Sequence, residues 1–90
     1  MKKVVIVGGG VSGLAAAHRA LELSAERREA RPEVLLLEAS ERLGGTVRTL
    51  RREGFLLEGG PDSFISEKPA ALELAKRLGI AGRIIETSPA

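Results

Sequence analysis

Apolar residues in the first third of the chain follow two periodicities, which predict a strand, a helix and a second strand. Residues 3–7 are a largely β-branched run that ends at glycines, a pattern typical of a strand buried on both faces of a parallel sheet. Over residues 12–28, small and apolar side chains recur every three to four positions, which predicts an amphipathic helix. A polar connection at 27–33 leads to a second apolar run at 34–37. Together these elements predict one βαβ unit.

The middle of the chain predicts a β-hairpin. Residues 46–51 and 55–58 have strand character, and the segment Arg52-Glu53-Gly54 between them has the composition of a turn. A loop or short helical turn is predicted before the hairpin at residues 39–45, and an irregular segment after it at 59–63.

A second helix is predicted near the end of the chain. Ser66 has the side chain of a helix N-cap, and Pro69 is acceptable in a first helical turn. Apolar residues then share one face over residues 71–78, and Gly79 stands where helices commonly stop. Residues 83–86 are predicted as a short strand. The fold class is therefore α/β, with a βαβ unit followed by a hairpin and a helix.

The composition narrows the possible functions. The chain has 90 residues, 43% hydrophobic and 29% charged, which is typical of one small globular domain. It has no cysteine and a single histidine, His18, so disulfide scaffolds, thiol nucleophiles and a metal site are not expected. A net charge of +2 and 2% aromatic residues argue against nucleic acid as a partner. The lack of a targeting segment, of cysteine and of a long apolar run predicts a cytoplasmic location.

Glycines at residues 8–13 carry the first functional signal. The segment Gly8-Gly9-Gly10-Val11-Ser12-Gly13 contains the pattern G-x-G-x-x-G between a predicted strand and a predicted helix, which is the context of a dinucleotide-binding loop. We predict that Gly8 allows the turn off the strand, that Gly10 lets the backbone approach a pyrophosphate, and that Gly13 lets the helix pack closely. The helix start would offer free N–H groups to the phosphates. The unit is thus Rossmann-like, and a glycine turn without a ligand is the alternative.

Glu38 ends the second predicted strand and completes this pattern. A carboxylate there accepts hydrogen bonds from a ribose 2′-OH and repels a 2′-phosphate, which disfavours an NADP-type ligand. Glu38 lies 25 residues past Gly13, against about 20 in the usual spacing, and the polar connection accounts for the excess. An ordinary surface glutamate is the alternative.

The stretch after Glu38 separates FAD from NAD as the ligand. It contains Arg42-Leu43-Gly44-Gly45, in which the arginine suits a phosphate and the glycines let the main chain lie against a cofactor. This stretch resembles the R-x-G-G motif of FAD-dependent amine oxidases, phytoene desaturases and protoporphyrinogen oxidases. The resemblance implies that Arg42, Gly44 and Gly45 lie beside the phosphates and ribityl chain of FAD. Many members have arginine where this chain has Thr46, so the role of that arginine is not carried over.

Two further segments narrow the resemblance. Residues 54–64, most distinctively Gly60-Pro61-Asp62-Ser63-Phe64, resemble protoporphyrinogen oxidase and its coproporphyrinogen-oxidising bacterial relatives, and so do Lys68-Pro69 and residues 72–80. The resemblance implies that residues 1–90 are the N-terminal part of the FAD-binding domain of a larger two-domain flavoprotein. It also implies that residues 60–63 run close to the flavin.

The implied activity is oxidation of protoporphyrinogen IX or coproporphyrinogen III to the porphyrin in haem biosynthesis, with FAD as cofactor and oxygen as acceptor. The porphyrinogen, oxygen and a peripheral membrane contact would engage segments outside this chain, and the oligomeric state stays open. Another FAD-dependent oxidase or desaturase of the amine oxidase superfamily, or a non-catalytic nucleotide-binding module, are the alternatives. The residues predicted to bind FAD are Gly8, Gly9, Gly10, Val11, Ser12, Gly13, Glu38, Ala39, Arg42, Gly44, Gly45, Thr46, Gly60, Pro61, Asp62 and Ser63.

No catalytic residue is predicted within the chain. His18 is interpreted as an ordinary helix-surface residue, and Asp62 as a turn-forming residue rather than a general base. In relatives the substrate pocket lies beyond the segment that this chain resembles, so the chain alone is not expected to be catalytic.

Overall fold

The computed structural model describes residues 2–65 and 67–86. The strands pair as two two-stranded sheets, β1 with β2 and β3 with β4. The predicted order of strand, helix, strand, hairpin and helix is confirmed. The elements are β1 (Lys3–Val7), α1 (Val11–Glu26), β2 (Glu33–Leu37), β3 (Thr49–Arg52), β4 (Phe55–Glu58), α2 (Ala70–Arg77) and the 3-10 helix Ala81–Arg83.

The first sheet is parallel and carries α1 on one face. Its register runs from Lys3 opposite Glu33 to Val7 opposite Leu37. The side chain of Ile6 points to the helix and lies in contact range of Gly13, and the residues of that face are half-buried. The βαβ unit is therefore held together by β-branched and leucine side chains packed under a helix rich in small residues.

The other face of this sheet is exposed. A two-stranded sheet with a single helix has only one covered face, so the prediction of strands buried on both faces is wrong for the described residues. The apolar side chains exposed there, by 40% to 83%, are Val5, Val7, Leu35 and Leu37.

A left-handed residue ends α1. Arg28 has φ of +53°, its N–H donates to the Ala25 carbonyl at 3.2 Å, and the Glu29 N–H donates to the Ser24 carbonyl at 2.9 Å. These two bonds form a Schellman motif, whose central position is usually glycine. The helix therefore stops at Glu26, two residues before the predicted end, because Arg28 leaves the helical region.

The hairpin closes with a two-residue turn. Glu53 and Gly54 both have positive φ, +52° and +80°, which is the geometry of a type I′ turn and matches the twist of the flanking strands. β3 begins at Thr49 instead of residue 46. Just before it, Gly44 and Gly45 pack on Gly9 and Gly10.

The second helix begins and ends close to its predicted bounds. Pro69 is the N-cap residue, with φ of −75°, and so precedes the first turn, while the predicted N-cap Ser66 lies outside the described residues. The stop at Gly79 is confirmed. Gly79 has φ of +76°, and the Ile80 N–H donates to the Ala75 carbonyl at 3.0 Å in a second Schellman motif.

The predicted strand at residues 83–86 is wrong. Ala81–Arg83 form a 3-10 helix, and the Ile84 N–H donates to the Ala81 carbonyl at 3.2 Å. A strand requires a neighbouring strand for its backbone groups, and residues 84–86 have none within the part of the chain that the structure describes.

An ion pair connects the two helices. Nε of Arg77 donates to Oε1 of Glu22 at 3.0 Å, and Nε2 of His18 lies 3.5 Å from Oε2 of the same carboxylate. Desolvation raises the pKa of Glu22, but the hydrogen bond and charge of Arg77, with His18 and Arg19, outweigh it and leave the pKa below its ordinary value. This partly exposed ion pair is a side-chain contact between α1 and α2, and such pairs contribute at most about 1 kcal/mol.

Candidate functional site

Residues 8–13, here called the glycine loop, comprise the turn after β1 and the first three residues of α1. Gly8 has φ of +102°, a conformation that glycine adopts without strain, and its N–H donates to the Leu37 carbonyl at 2.7 Å. A Cβ atom on Gly13 would collide with the carbonyl oxygen of Gly8. The turn off β1 and the close packing of α1 are therefore both present, and both require the residue type found.

Gly10 differs from its neighbours, because the described protein imposes no steric need for glycine there. Its φ of −77° is open to every L-residue. The nearest atom to a Cβ placed on it is Cα of Gly45 at 3.8 Å, an ordinary contact distance. Gly10 also lines a cleft, so the described residues leave room for a Cβ atom at its edge.

The first turn of α1 borders the same cleft through Val11 and Ser12. The N-cap residue is Gly10, so no side chain caps the helix, and its first turn contains no acidic residue. The first N–H groups of α1 thus have no side-chain acceptor among the described residues. The positive end of the helix is available to an anion in the cleft.

Glu38 follows β2 and contacts the glycine loop directly. Its Oε1 accepts the Gly9 N–H at 2.7 Å, and its Oε2 accepts the Ser40 N–H at 2.8 Å. Hydrogen bonds from Ser40 and from the Gly9 N–H lower the pKa of Glu38 to about 2, because they stabilise the carboxylate. Each oxygen retains acceptor capacity, so this ionised group is chemically suited to a pair of ribose hydroxyls.

Residues 39–47, here called the second loop, lie against the glycine loop. The Gly44 N–H donates to the Gly9 carbonyl at 2.7 Å, and Gly10 and Gly44 form an isolated parallel bridge. A Cβ on Gly45 would lie only 3.1 Å from Cα of Gly10. The two glycine-bearing segments are therefore packed backbone to backbone.

The guanidinium of Arg42 turns back into the second loop. Its Nη1 donates to the carbonyls of Leu43 at 3.0 Å and Val47 at 3.1 Å, and its Nη2 donates to the Gly45 carbonyl. Arg42 does not line the cleft. The side chain that the sequence places beside the cofactor phosphates makes its hydrogen bonds to its own loop.

A third segment, residues 59–64, packs on the second loop. A Cβ on Gly60 would collide with the carbonyl oxygen of Thr46, and the Gly59 N–H donates to the Arg48 carbonyl at 2.7 Å. This close approach carries Pro61 and the residues after it to the cleft.

The three segments enclose an open cleft of about 730 Å³, a size typical of small-molecule sites. The structure thus brings together stretches of chain that are about 30 and 50 residues apart in sequence. The predicted site residues that line the cleft are Gly10, Val11, Ser12, Gly44, Thr46, Pro61, Asp62 and Ser63.

The other predicted residues are not part of this lining. They shape or support the loops, or follow β2 as Glu38 and its exposed neighbour Ala39 do. Sequence reasoning missed two apolar lining residues, Val47 and Phe64, whose only signal was their position directly beside motif residues. The predicted residues outside the lining are Gly8, Gly9, Gly13, Glu38, Ala39, Arg42, Gly45 and Gly60.

The residues present fit a dinucleotide. A backbone wall at Gly10, an uncapped helix start and apolar side chains at Val47 and Phe64 line one cleft. The ionised carboxylate of Glu38 is not part of this lining, but it accepts the N–H of Gly9, the residue next to Gly10. The sequence profile of the family described as flavin-containing amine oxidoreductase matches residues 11–89. The chain belongs to this family. The family description names a flavin, which confirms the predicted class of cofactor.

Members of the porphyrinogen oxidase group are similar to this chain. Coproporphyrinogen III oxidase of Bacillus subtilis (strain 168) is 40% identical over 87 residues, which are 97% of this chain and 18% of that protein. The enzyme of the same name from Propionibacterium freudenreichii subsp. freudenreichii is 44% identical over 82 residues, 91% of this chain and 14% of that protein. The chain therefore spans less than a fifth of the length of these relatives.

A solved structure confirms the fold. The crystal structure of a provisionally assigned protoporphyrinogen oxidase from Exiguobacterium sp. 255-15 has a TM-score of 0.81 and 42% identity, over 99% of this chain and 19% of that one. In residues 2–65 and 67–86, no helix has the length and apolar character needed to cross a membrane.

Proposed function

We propose that residues 1–90 are the N-terminal part of an FAD-binding domain and that the cleft between the three segments binds FAD. The observation that carries the proposal is Gly10, a glycine with ordinary φ whose Cβ position would meet only an ordinary contact, Cα of Gly45 at 3.8 Å. Packing among the described residues supplies no reason for a glycine there, whereas a pyrophosphate lying against the backbone would supply one. The family membership supports a flavin as the ligand.

The residue roles follow from the placement of the segments. Gly10, Val11 and Ser12 would hold the pyrophosphate at the uncapped start of α1. Glu38 would accept hydrogen bonds from the ribose hydroxyls. Residues 44–46 and 60–63 would lie along the remaining length of the cofactor.

We propose further that the complete protein is an FAD-dependent oxidase that converts coproporphyrinogen III or protoporphyrinogen IX to the porphyrin, with oxygen as acceptor. Bound FAD supplies the redox chemistry, taking hydrogen equivalents from the substrate and delivering them to oxygen. The names of the similar proteins and the segment at residues 60–64 support this substrate class. The residues of this chain hold and orient the cofactor, and substrate contacts belong to the rest of the enzyme.

Supplying each porphyrinogen to the FAD-loaded complete protein in the presence of oxygen tests the proposal. We expect porphyrin fluorescence to appear, hydrogen peroxide to accumulate, and a Gly10→Val variant to lose both together with its bound flavin. Peroxide production with an amine or amino acid, without porphyrin formation, would support the alternative of another oxidase in the superfamily. Stable FAD binding with no turnover of any substrate would favour the non-catalytic module.

We also propose that the complete protein resides in the cytoplasm and contacts the membrane surface through segments outside this chain. Fractionation of cells tests this location, with recovery in the soluble fraction or release from membranes by salt as the expected result. Extraction only by detergent would contradict it.

A further inference from the structure

We propose that Arg42 is a positioning residue of the cofactor site, which braces the glycine loop through the second loop. In this role Arg42 does not itself pair with the cofactor phosphates. The inference rests on the proposed function, because it takes FAD as the ligand. Three steps connect the guanidinium to the wall of the cleft.

In the first step, Arg42 organises the carbonyl groups of its own loop. The carbonyl oxygens of Leu43, Gly45 and Val47 all accept hydrogen bonds from its two Nη atoms. Three carbonyls directed at one point repel each other unless a cation with several donors lies between them. Arginine has five N–H donors in a rigid planar fork, and lysine has a single ammonium on a flexible stem.

The second contact depends on Gly44, which has no side chain and so leaves room for the guanidinium of Arg42. A Cβ on Gly44 would lie 3.1 Å from Nη1 of Arg42 and 3.3 Å from the Val47 carbonyl oxygen, and the φ of Gly44 is +106°. A larger residue would be strained and would push the side chain of Arg42 away from its acceptors. The arginine and the first glycine of R-x-G-G therefore form one structural unit without any ligand.

In the third step, the second loop supports the glycine loop. The Gly44 N–H donates to the Gly9 carbonyl at 2.7 Å, and Gly45 packs on Cα of Gly10. A change in the path of residues 43–47 therefore moves the backbone that forms the wall of the cleft. Arg42 acts on the ligand through this backbone contact, and does not line the cleft itself.

Two substitutions of Arg42 in the complete protein separate positioning from direct pairing. Arg42→Lys keeps the positive charge and loses the planar guanidinium, whereas Arg42→Met loses both. Arg51→Met, on the exposed strand β3, is the control for loss of a positive charge. Two quantities are measured: the affinity of the apoprotein for FAD at low and high salt, and amide hydrogen exchange of residues 43–47 without FAD.

We expect both Arg42 variants to lose at least about tenfold in FAD affinity, as for loss of hydrogen bonds to a charged group, with the salt dependence of the parent retained. We expect amide exchange at Gly44 to accelerate by at least about tenfold in both variants, because local opening of the loop then requires less free energy. Arg51→Met should change neither quantity. If Arg42→Met does not fold, the measurements on Arg42→Lys are sufficient for the test.

The opposite pattern would overturn the proposal. If Arg42→Lys binds FAD within about twofold of the parent while Arg42→Met loses affinity and salt dependence together, the arginine acts as a charge on the phosphates. Unchanged exchange at Gly44 in both variants would overturn it as well. A parent protein that does not bind FAD would instead refute the proposed function, and the exchange measurement on the apoprotein would still decide the bracing role.

Discussion

The backbone N–H of Gly9 donates to Oε1 of Glu38 across 2.7 Å, and this bond ties the loop after β1 to the end of β2. The two residues are 29 positions apart in sequence. Oε2 of the same carboxylate accepts the Ser40 N–H. Glu38 therefore has a structural task, holding the two loops of the candidate site, in addition to the ribose contact proposed for it.

We predict that Glu38→Gln weakens FAD binding as strongly as Glu38→Ala. Both carboxylate oxygens accept backbone N–H groups, so a glutamine must direct its NH₂ group at one of these donors. The expected loss is at least about tenfold in Kd, the scale for a hydrogen bond to a charged group. Titration of the apoprotein with FAD measures it.

Glu41→Gln is the matched control for this substitution. Glu41 is an exposed carboxylate in the second loop, three residues after Glu38, so its neutralisation changes the net charge equally and should leave the FAD affinity unchanged. Parent-like affinity in Glu38→Gln would show that one acceptor oxygen is enough and that neither the second oxygen nor the charge of Glu38 is needed.

The depressed pKa of Glu38 predicts a specific pH dependence. Its pKa is about 2 in the folded protein and 4.5 ordinarily, so the carboxylate stabilises the folded state above about pH 4.5. That contribution is lost as the pH falls towards 2, because protonation then removes an acceptor. The difference in Tm between the parent and Glu38→Gln should be constant from about pH 5 to 8 and shrink below pH 4.5. A difference that changes near neutral pH would contradict this assignment.

Local signals predicted most of the fold correctly. The run at Lys3–Val7, the helical pattern after Gly10 and the turn at Gly54 are each specified by neighbouring residues, and each formed where it was expected. The strand expected at residues 83–86 failed because strand formation depends on a partner, which no local pattern reveals. Likewise, no local pattern reveals that Gly44 and Gly45, shortly before β3, pack on the glycine loop, which is distant in sequence.

The candidate site was predictable where residue type alone determines the role. Gly13 and Glu38 were expected at a helix packing site and at a strand end, and they lie there. The direction of the Arg42 side chain was not predictable, because it depends on three carbonyls whose positions are set by tertiary structure. Phe64 was missed for the same reason, since its place in the cleft depends on the approach of Gly60 to the second loop.

Alanine substitutions at Gly10 and Gly13 should separate ligand binding from folding. Gly10→Ala meets no close contact within the described protein, so we expect a change in unfolding free energy within about 1 kcal/mol, as for an N-cap replacement. FAD affinity should fall sharply because the methyl group lies where the pyrophosphate is proposed to bind. Urea unfolding of the apoprotein and FAD titration measure the two effects.

Gly13→Ala should instead lower the stability of the apoprotein. Its Cβ would collide with the Gly8 carbonyl oxygen, so we expect destabilisation of about 1–3 kcal/mol, the cost of overpacking, already in the absence of FAD. If Gly10→Ala instead destabilises the apoprotein and retains FAD, the proposed role of Gly10 is wrong.

The end of α1 offers a stabilising substitution away from the site. Arg28 has φ of +53° at the position of a Schellman motif that favours glycine, and a non-glycine residue in this region costs about 1–2 kcal/mol. Arg28→Gly should therefore raise the unfolding free energy by up to about 1 kcal/mol, since glycine also adds entropy to the unfolded chain.

The equivalent residue of α2 is Gly79, with φ of +76°, and Gly79→Ala should lower the stability by a similar amount. Urea unfolding of both variants tests the pair, with FAD affinity expected to stay at the parent value. A loss of stability in Arg28→Gly would mean that the arginine side chain stabilises the helix end by more than its backbone strain costs.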